Sequence, residues 1–352
     1  MSNAPQTPHT IANTWIDNAR LVAAVAVVVL HISASPVVFA PIGSNSWWAG
    51  NTYDSATRWC VPVFVMLSGY LLLPTAVTSD TLGFLKKRAS RLLIPLLFWG
   101  LFYQAWQLWQ ATPQVRTALW AALPEQWLRG APHFHLWFLF MLTGLSLVTP
   151  WLARLMAHLS IAQQRHLAWT LLALGALHNA AFALLEHATA PQFFTLFLPY
   201  LGYYVWAATP RCASVTAQSS RTKAVQIGLL LLSILATMLG LYVLSQMSGL
   251  AKGLYFYEYV SITVLPMSLL VFVLLQSWTR PILGRWTPQA ARLSFGVYLI
   301  HPLLIEVLSP YLQSLQTLGT WLFIPLVSSA VLLSSFAVAG LLHSVPWLRR
   351  TL

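Results

Sequence analysis

The chain has 352 residues, of which 58% are hydrophobic and only 7% are charged. Soluble domains carry roughly 25% charged residues, so this composition excludes an ordinary soluble protein and indicates a polytopic membrane protein. The formal net charge of +12 does not indicate nucleic acid, because the basic residues follow the pattern of membrane loops.

Apolar runs long enough to cross a bilayer predict about ten transmembrane helices in an all-α membrane helix bundle. Their centres lie near residues 29, 68, 101, 143, 176, 200, 235, 268, 301 and 331. With a cytoplasmic N-terminus, fifteen of the nineteen basic residues lie inside, and the four outside are Arg58, Arg116, Arg129 and Lys252. This bias follows the positive-inside rule and predicts that both termini are cytoplasmic. We expect a disordered cytoplasmic tail at residues 1–14, the helix bundle at 15–345 and a short basic tail at 346–352.

The first span, from Trp15 to Ser35, carries an acidic residue, a basic residue and a histidine on one face. Arg20 and His31 are eleven residues apart, close to three full turns, and Asp17 lies one turn before Arg20. At 1.5 Å per residue, His31 lies about 16 Å deeper than Arg20, inside the hydrocarbon layer. An ionisable residue at this depth is a functional candidate. The alternative for Asp17 and Arg20 is an ion pair that only anchors the helix end at the membrane surface.

The second span contains the small residues Ser68 and Gly69, followed by Tyr70. Small residues inside a membrane helix let a neighbouring helix approach closely. The triplet therefore predicts either helix packing or a site lined by Ser68 and Tyr70, and the sequence leaves both open.

A basic cluster precedes the third span on the predicted cytoplasmic side, and it comprises Lys86, Lys87, Arg88 and Arg91. Arg88 and Arg91 are three positions apart and share a helix face. Paired guanidinium groups grip phosphate oxygens bidentately, so the pair is suited to a polyphosphate ligand. Positive-inside anchoring alone also predicts such a cluster.

The ninth span carries one polar stripe on an otherwise apolar helix. Ser294, Tyr298 and His301 recur there at i, i+4 and i+7. His301 lies about 13 Å beyond Arg292, a depth comparable with that of His31. Two histidines from two helices can thus reach the same layer of the membrane.

Two further histidines, His133 and His135, precede the fourth span. A metal site needs additional close ligands, and none is evident in the sequence, so we expect no metal ion. Interfacial hydrogen bonding is the preferred interpretation of both histidines.

These features together resemble the membrane-bound acyltransferase-3 family. The matching features are Arg20 with ten residues before His31, the Ser68-Gly69-Tyr70 triplet, the Arg88-x-x-Arg91 pair and the Tyr298-x-x-His301 segment. Within the family, the segments WIDNAR, VPVFVMLSGYLLL and HLWFLFMLTGLSLVTP look most like the enterobacterial common antigen O-acetyltransferase group. The resemblance implies a multi-pass protein of the bacterial inner membrane. It would move an acetyl group to a hydroxyl of a cell-surface glycan or of a lipid-linked glycan precursor.

The resemblance also implies roles for individual residues. His31 and Arg20 are the implied catalytic pair. Arg88 and Arg91, with Lys87 beside them, are implied to hold the acyl donor acetyl-CoA. Acetyl-CoA is a co-substrate, so no permanently bound cofactor is expected, and the other partners are the glycan acceptor and membrane lipid rather than nucleic acid. The candidate site-lining residues are Asp17, Ser68, Tyr70, Tyr298 and His301.

The expected mechanism centres on His31. A neutral imidazole inside the membrane can accept a proton, so we expect it to deprotonate the acceptor hydroxyl that attacks the thioester. A covalent acyl-histidine intermediate is the alternative mechanism. A secondary transporter, from another functional class, would use His31, His301 and Arg20 as a proton or solute path. The lack of an internal repeat, and of acidic residues within the spans suited to ion coupling, argues against the transporter.

Overall fold

The structure is a computed structural model, and it describes residues 8–185, 192–209 and 219–352. This part of the chain consists of α-helices joined by short 3₁₀ helices and turns, and it contains no β-strand. Eight of its helical segments are long and apolar enough to span a membrane. The architecture confirms the predicted all-α membrane helix bundle.

Thirteen α-helices follow one another along the described residues. They are α1 (Pro8–Phe39), α2 (Asn45–Thr57), α3 (Cys60–Thr78), α4 (Thr81–Gln110), α5 (Pro113–Leu128), α6 (Trp137–His158), α7 (Ile161–Leu184), α8 (Leu201–Ala207), α9 (Ser220–Ser248), α10 (Leu250–Gly253), α11 (Val264–Gln276), α12 (Thr287–Leu312) and α13 (Thr320–Ser344). The chain divides into two compact units. The first comprises residues 1–67 and 210–341, and the second comprises residues 68–209 and 342–352.

Polar caps define where several helices begin. The Ser44 side chain accepts a hydrogen bond from the backbone N–H of Trp47 at 3.2 Å and starts α2. At the start of α7, the side chains of Ser160 and Gln163 each accept from the other residue's backbone N–H and form a capping box. Such caps satisfy N–H groups that the first turn of a helix leaves without a partner.

In the first unit, α1 contacts α2, α11 and α12. Gly50 of α2 lies directly on α1, where a Cβ atom would be 2.7 Å from Pro36 Cγ and 2.9 Å from the Ser33 carbonyl oxygen. In the same unit, α9 packs against α10 and α11. The contact between α1 and α12 holds the helix that carries His31 against the helix that carries His301.

In the second unit, α4 packs against α6, and α7 packs against α8. The C-terminal 3₁₀ helix closes onto α4, because the indole N–H of Trp99 donates to the carbonyl oxygen of Thr351 at 2.8 Å. Gly69 of α3 lies against α8 so closely that a Cβ atom there would overlap the Tyr204 carbonyl oxygen. This contact confirms helix packing as one role of the small residues in the second predicted span.

The number of long spans differs from the predicted ten or so. Near residue 200 the described residues form a 3₁₀ turn that contains Pro199 and the seven-residue helix α8. Near residue 268, α11 has 13 residues, fewer than the roughly 20 that cross a bilayer. The other eight predicted positions carry long apolar helical segments.

The described helices extend close to both ends of the chain. Helix α1 begins at Pro8, inside the segment predicted as a tail, and residues 1–7 lie outside the described part. Helix α13 ends at Ser344, next to the predicted end of the bundle at residue 345. The predicted basic tail contains the 3₁₀ helix Leu348–Thr351.

Candidate active site

An ion pair lies near the start of the apolar part of α1. The Arg20 Nη1 and Asp17 Oδ1 atoms are 3.7 Å apart, one turn from each other on the helix. Arg292 of α12 also lies within electrostatic range of Asp17. The pair predicted from the sequence is therefore present, although its atoms are too far apart for a hydrogen bond. The Arg20 side chain keeps 38% of its surface exposed.

Asn18, between these two charged residues, is completely buried and fixes α1 to the segment between α11 and α12. Its Nδ2 group donates to the carbonyl oxygens of Trp278 at 3.1 Å and Arg280 at 2.9 Å. Its Oδ1 atom accepts from the backbone N–H of Ile282 at 3.2 Å. Sequence reasoning missed Asn18, because its partners are backbone groups at least 260 residues away and leave no motif.

His31 of α1 and His301 of α12 form a hydrogen-bonded pair in the first unit. The distance from His301 Nε2 to His31 Nδ1 is 2.9 Å, and the ring centroids are 4.8 Å apart. His301 is completely buried, whereas His31 is partly exposed. His31 is therefore the member of the pair that a substrate can touch.

Each of these histidines also faces a backbone carbonyl of its own helix. His31 Nδ1 lies 3.0 Å from the carbonyl oxygen of Val27. His301 Nδ1 lies 3.2 Å from the carbonyl oxygen of Val297. These contacts fix the orientation of both rings.

The other members of the polar stripe on α12, Tyr298 and Ser294, are both buried. The ring centroid of Tyr298 lies 6.3 Å from that of His301. Ser294 donates its hydroxyl to the Ala291 carbonyl oxygen of the same helix at 2.8 Å. Tyr298 therefore borders the histidine pair, whereas the Ser294 hydroxyl is directed to its own helix.

The basic cluster lies in the second unit, on the first turns of α4. Lys87 and Arg91 are exposed, whereas Arg88 is half-buried. The Nε atom of Arg88 is buried and has no hydrogen-bond partner among the described residues. Arg88 also interacts electrostatically with Arg91 and with Tyr204 of α8. An anionic ligand would offset the repulsion between the two guanidinium groups.

Tyr204 connects the small-residue triplet with the basic cluster. Its backbone packs on Gly69, its side chain is completely buried, and its hydroxyl oxygen lies 2.8 Å from Thr149 Oγ1. Ser68 and Tyr70, on either side of Gly69, are half-buried. Sequence reasoning missed Tyr204, because one tyrosine among several aromatic residues carries no distinguishing pattern.

The predicted site residues thus fall into two groups, one in each unit. The first unit holds Asp17, Arg20, His31, Tyr298 and His301, and the second holds Ser68, Tyr70, Lys87, Arg88 and Arg91. Within the first group, the structure joins the two charged residues to each other and the two histidines to each other. Arg20 and His31 lie about 16 Å apart along α1, so they do not touch.

A second, largely buried ion pair in the first unit was not predicted. Asp54 Oδ1 lies 2.6 Å from Arg58 Nε, with the Asp54 side chain completely buried and that of Arg58 13% exposed. The Arg58 guanidinium lies over the Tyr257 ring, 4.0 Å from its centroid, and donates to the Tyr257 carbonyl oxygen at 3.2 Å. Burial raises the pKa of the Tyr257 hydroxyl well above its ordinary value, and the nearby Asp54 carboxylate raises it further. This hydroxyl therefore stays protonated and donates to Asn51 Oδ1 at 2.8 Å.

Asp54 and Arg58 both lie within the long apolar helical segment Asn45–Thr78, and Arg58 was predicted on the outer side of the membrane. Asp54 is an acidic residue in this segment, and its carboxylate is paired with Arg58. Opposite charges at i and i+4 beside an apolar run are the signal that could have found the pair.

His133 and His135 are both buried. Their Nδ1 atoms are 2.9 Å apart, and the ring of Tyr103 stacks on His133 with the centroids 4.1 Å apart. In the described ranges, no three His, Cys, Asp or Glu side chains are grouped closely enough to hold a metal ion. The two histidines therefore belong to the core of the second unit.

The fold and the site define a polytopic helical membrane protein that holds a hydrogen-bonded histidine pair within its apolar helices. A family model described as an acyltransferase domain, Acyl_transf_3, matches residues 13–340, nearly the whole chain. The chain therefore belongs to the acyltransferase-3 family and is a membrane acyltransferase. No curated protein and no solved structure gives a significant match to it.

Proposed function

We propose that this protein is an O-acetyltransferase of the bacterial inner membrane. It moves an acetyl group from cytoplasmic acetyl-CoA to a hydroxyl of a cell-surface glycan or of its lipid-linked precursor. The observation that carries the proposal is His31, a partly exposed histidine within an apolar helix of a membrane acyltransferase. A histidine in this setting supplies the base that acyl transfer to a hydroxyl requires.

The proposed reaction is a direct transfer with His31 as general base. His31 takes the proton of the acceptor hydroxyl while the hydroxyl oxygen attacks the thioester carbonyl carbon. The tetrahedral intermediate then expels the coenzyme A sulfur, which receives the proton from His31 and leaves as a free thiol. General base catalysis of this kind contributes about 10²–10⁴-fold. Rapid quenching with labelled acetyl-CoA distinguishes direct transfer from the acyl-histidine alternative, in which the label stays on the protein.

The proposed donor site is the basic cluster of α4, namely Lys87, Arg88 and Arg91. Coenzyme A carries several phosphate charges and is made in the cytoplasm, the side on which the positive-inside rule predicts this cluster. Phosphate oxygens could accept hydrogen bonds from the exposed side chains of Lys87 and Arg91 and from the half-buried Arg88. Arg20, paired with Asp17, binds a donor phosphate or orients a neighbouring group.

The proposed acceptor class rests on the resemblance of three sequence segments to the enterobacterial common antigen O-acetyltransferase group. An acceptor hydroxyl needs a base to remove its proton, and His31 in the first span supplies a basic nitrogen for this step. Membership of an acyltransferase family favours this enzyme over the secondary transporter.

Purified protein in lipid nanodiscs provides the test. With acetyl-CoA and a lipid-linked glycan, we expect free thiol and a glycan heavier by about 42 mass units per acetyl group. His31→Gln should lose both products. His178→Gln is the matched control, because it makes the same change at an exposed position of α7, and it should keep both. Solute uptake into liposomes without thiol release would support the transporter instead.

A further inference from the structure

The groups around His301 fix where its proton lies. A backbone carbonyl oxygen only accepts hydrogen bonds, so His301 Nδ1, 3.2 Å from the Val297 oxygen, carries a proton. In a neutral imidazole the other nitrogen then carries the lone pair, which makes His301 Nε2 an acceptor. His31 Nδ1, 2.9 Å from this nitrogen, must therefore donate to it.

A second contact assigns the proton of His31 independently. His31 Nδ1 also lies 3.0 Å from the Val27 carbonyl oxygen, another group that only accepts. Both of these neighbours of His31 Nδ1 are acceptors, so this nitrogen is protonated and the lone pair of the neutral ring lies on Nε2. The nitrogen of His31 that can take a proton is thus Nε2.

We propose that His301 is a positioning residue that holds His31 in this tautomer and stabilises it while it is charged. The inference rests on the proposed function, in which His31 is the base. As the acceptor oxygen bonds to the thioester carbon, the hydroxyl proton moves to His31 Nε2. As the carbon–sulfur bond then breaks, the same proton passes to the departing sulfur. Throughout both steps the Nδ1–H of His31 donates to His301 Nε2, and this hydrogen bond is stronger while His31 is positive.

The burial of the two rings supports different roles. His31 is partly exposed and can meet a substrate, whereas His301 is completely buried behind it. Because the His301 side chain is completely buried, its end of the hydrogen bond is shielded from water, which strengthens the bond. A buried acceptor that orients a histidine base is the third group of a triad-like arrangement.

Nitrogen-15 NMR of the full-length protein with labelled histidine reads the tautomer directly. The signals of His31 are assigned by their loss in the His31→Gln variant. We expect a protonated Nδ1 and an unprotonated Nε2 on the neutral ring of His31. The opposite tautomer would overturn the inference, whether or not acetyl transfer is observed.

Two substitutions of His301 separate hydrogen bonding from space filling. His301→Gln can keep an acceptor oxygen near the position of Nε2, whereas His301→Leu removes the acceptor. We expect His301→Leu to lower kcat by about 10²–10⁴-fold with an unchanged KM for acetyl-CoA, and His301→Gln to recover about tenfold of that loss. Ser294→Ala on the same helix is the control and should keep the parental kcat, because Ser294 is bonded to its own helix.

The outcomes distinguish this inference from the proposed function. Parental turnover by His301→Leu would mean that His301 only fills space, and the acetyltransferase would still stand. If the wild-type protein transfers no acetyl group, the proposed function is wrong, and the tautomer of His31 alone decides whether His301 positions it. Should His301→Leu fail to fold, the NMR spectrum of the wild-type protein and the kinetics of His301→Gln decide the question.

Discussion

Gly69 packs directly against the backbone of Tyr204, at a distance that leaves no room for a side chain on residue 69. Neither partner can move cheaply, because both contacting groups belong to the backbone of packed helices. The contact fixes α3 to α8, the helix that carries Tyr204. The Tyr204 side chain in turn interacts with Arg88 of the basic cluster. The small-residue triplet therefore shapes the second unit through its glycine.

Gly69→Ala should destabilise the protein by about 1–3 kcal/mol or more, because the new methyl group overlaps a backbone oxygen. The measurement is the thermal unfolding temperature in one detergent. Gly228→Ala in α9 is the control, since nothing lies within 4 Å of a Cβ atom there and alanine favours a helix by roughly 0.5–1 kcal/mol over glycine. Equal unfolding temperatures of the two variants would contradict the packing argument.

Arg58→Leu should destabilise the protein by about 3–5 kcal/mol, since it leaves the completely buried carboxylate of Asp54 without its partner. Replacing both Asp54 and Arg58 with leucine should cost less than Arg58→Leu alone. Unfolding of the wild type, both single variants and the double variant in one detergent gives the coupling energy. A double variant no more stable than Arg58→Leu would show that the two charges do not depend on each other.

Arg88→Ala with Arg91→Ala should weaken acetyl-CoA binding and leave acceptor binding unchanged, because guanidinium groups match phosphates rather than sugar hydroxyls. Rising salt should weaken donor binding to the wild-type protein in the same direction. Arg349→Ala with Arg350→Ala is the matched control, because it removes the same charge from two exposed residues of the second unit. If both double variants bind acetyl-CoA equally well, the cluster of α4 only anchors the helix.

The predicted topology can be tested with the two cysteines. Cys212 lies outside the described residues and is predicted on the cytoplasmic side. A membrane-impermeant thiol reagent should label it in inside-out vesicles but not in intact cells. Cys60 is completely buried and should not react, and Cys212→Ser should abolish the labelling. Labelling of Cys212 from outside would reverse the predicted orientation.

Hydropathy predicted most of the fold, because a run of about 20 apolar residues has few alternatives to a membrane helix. Hydropathy also predicted full membrane spans near residues 200 and 268. The sequence is apolar at both positions, but the helices there are too short to count among the eight long segments. Near residue 200 the apolar segment consists of a turn that contains Pro199 and a short helix. Apolar composition alone does not determine the length of a helix.

The candidate site was predictable where spacing along one helix determines it. Helical rise placed His31 and His301 in one layer, and the structure joins them by a hydrogen bond. Asn18 and Tyr204 could not be found in this way, because their partners lie far along the chain and are backbone groups or a threonine. Such pairings depend on how the helices pack, which no single-sequence pattern contains.

The role of His31 as the base of an acetyl transfer is decided by one assay, acetyl-CoA-dependent thiol release coupled to acetylation of the acceptor. The wild type, His31→Gln and the exposed control His178→Gln are compared in the same nanodiscs. Glutamine keeps hydrogen-bonding capacity but has no basic nitrogen. We expect His31→Gln to insert normally and to bind acetyl-CoA, yet to lose about 10²–10⁴-fold in turnover, with His178→Gln unaffected. Turnover by His31→Gln at the wild-type rate would contradict this role.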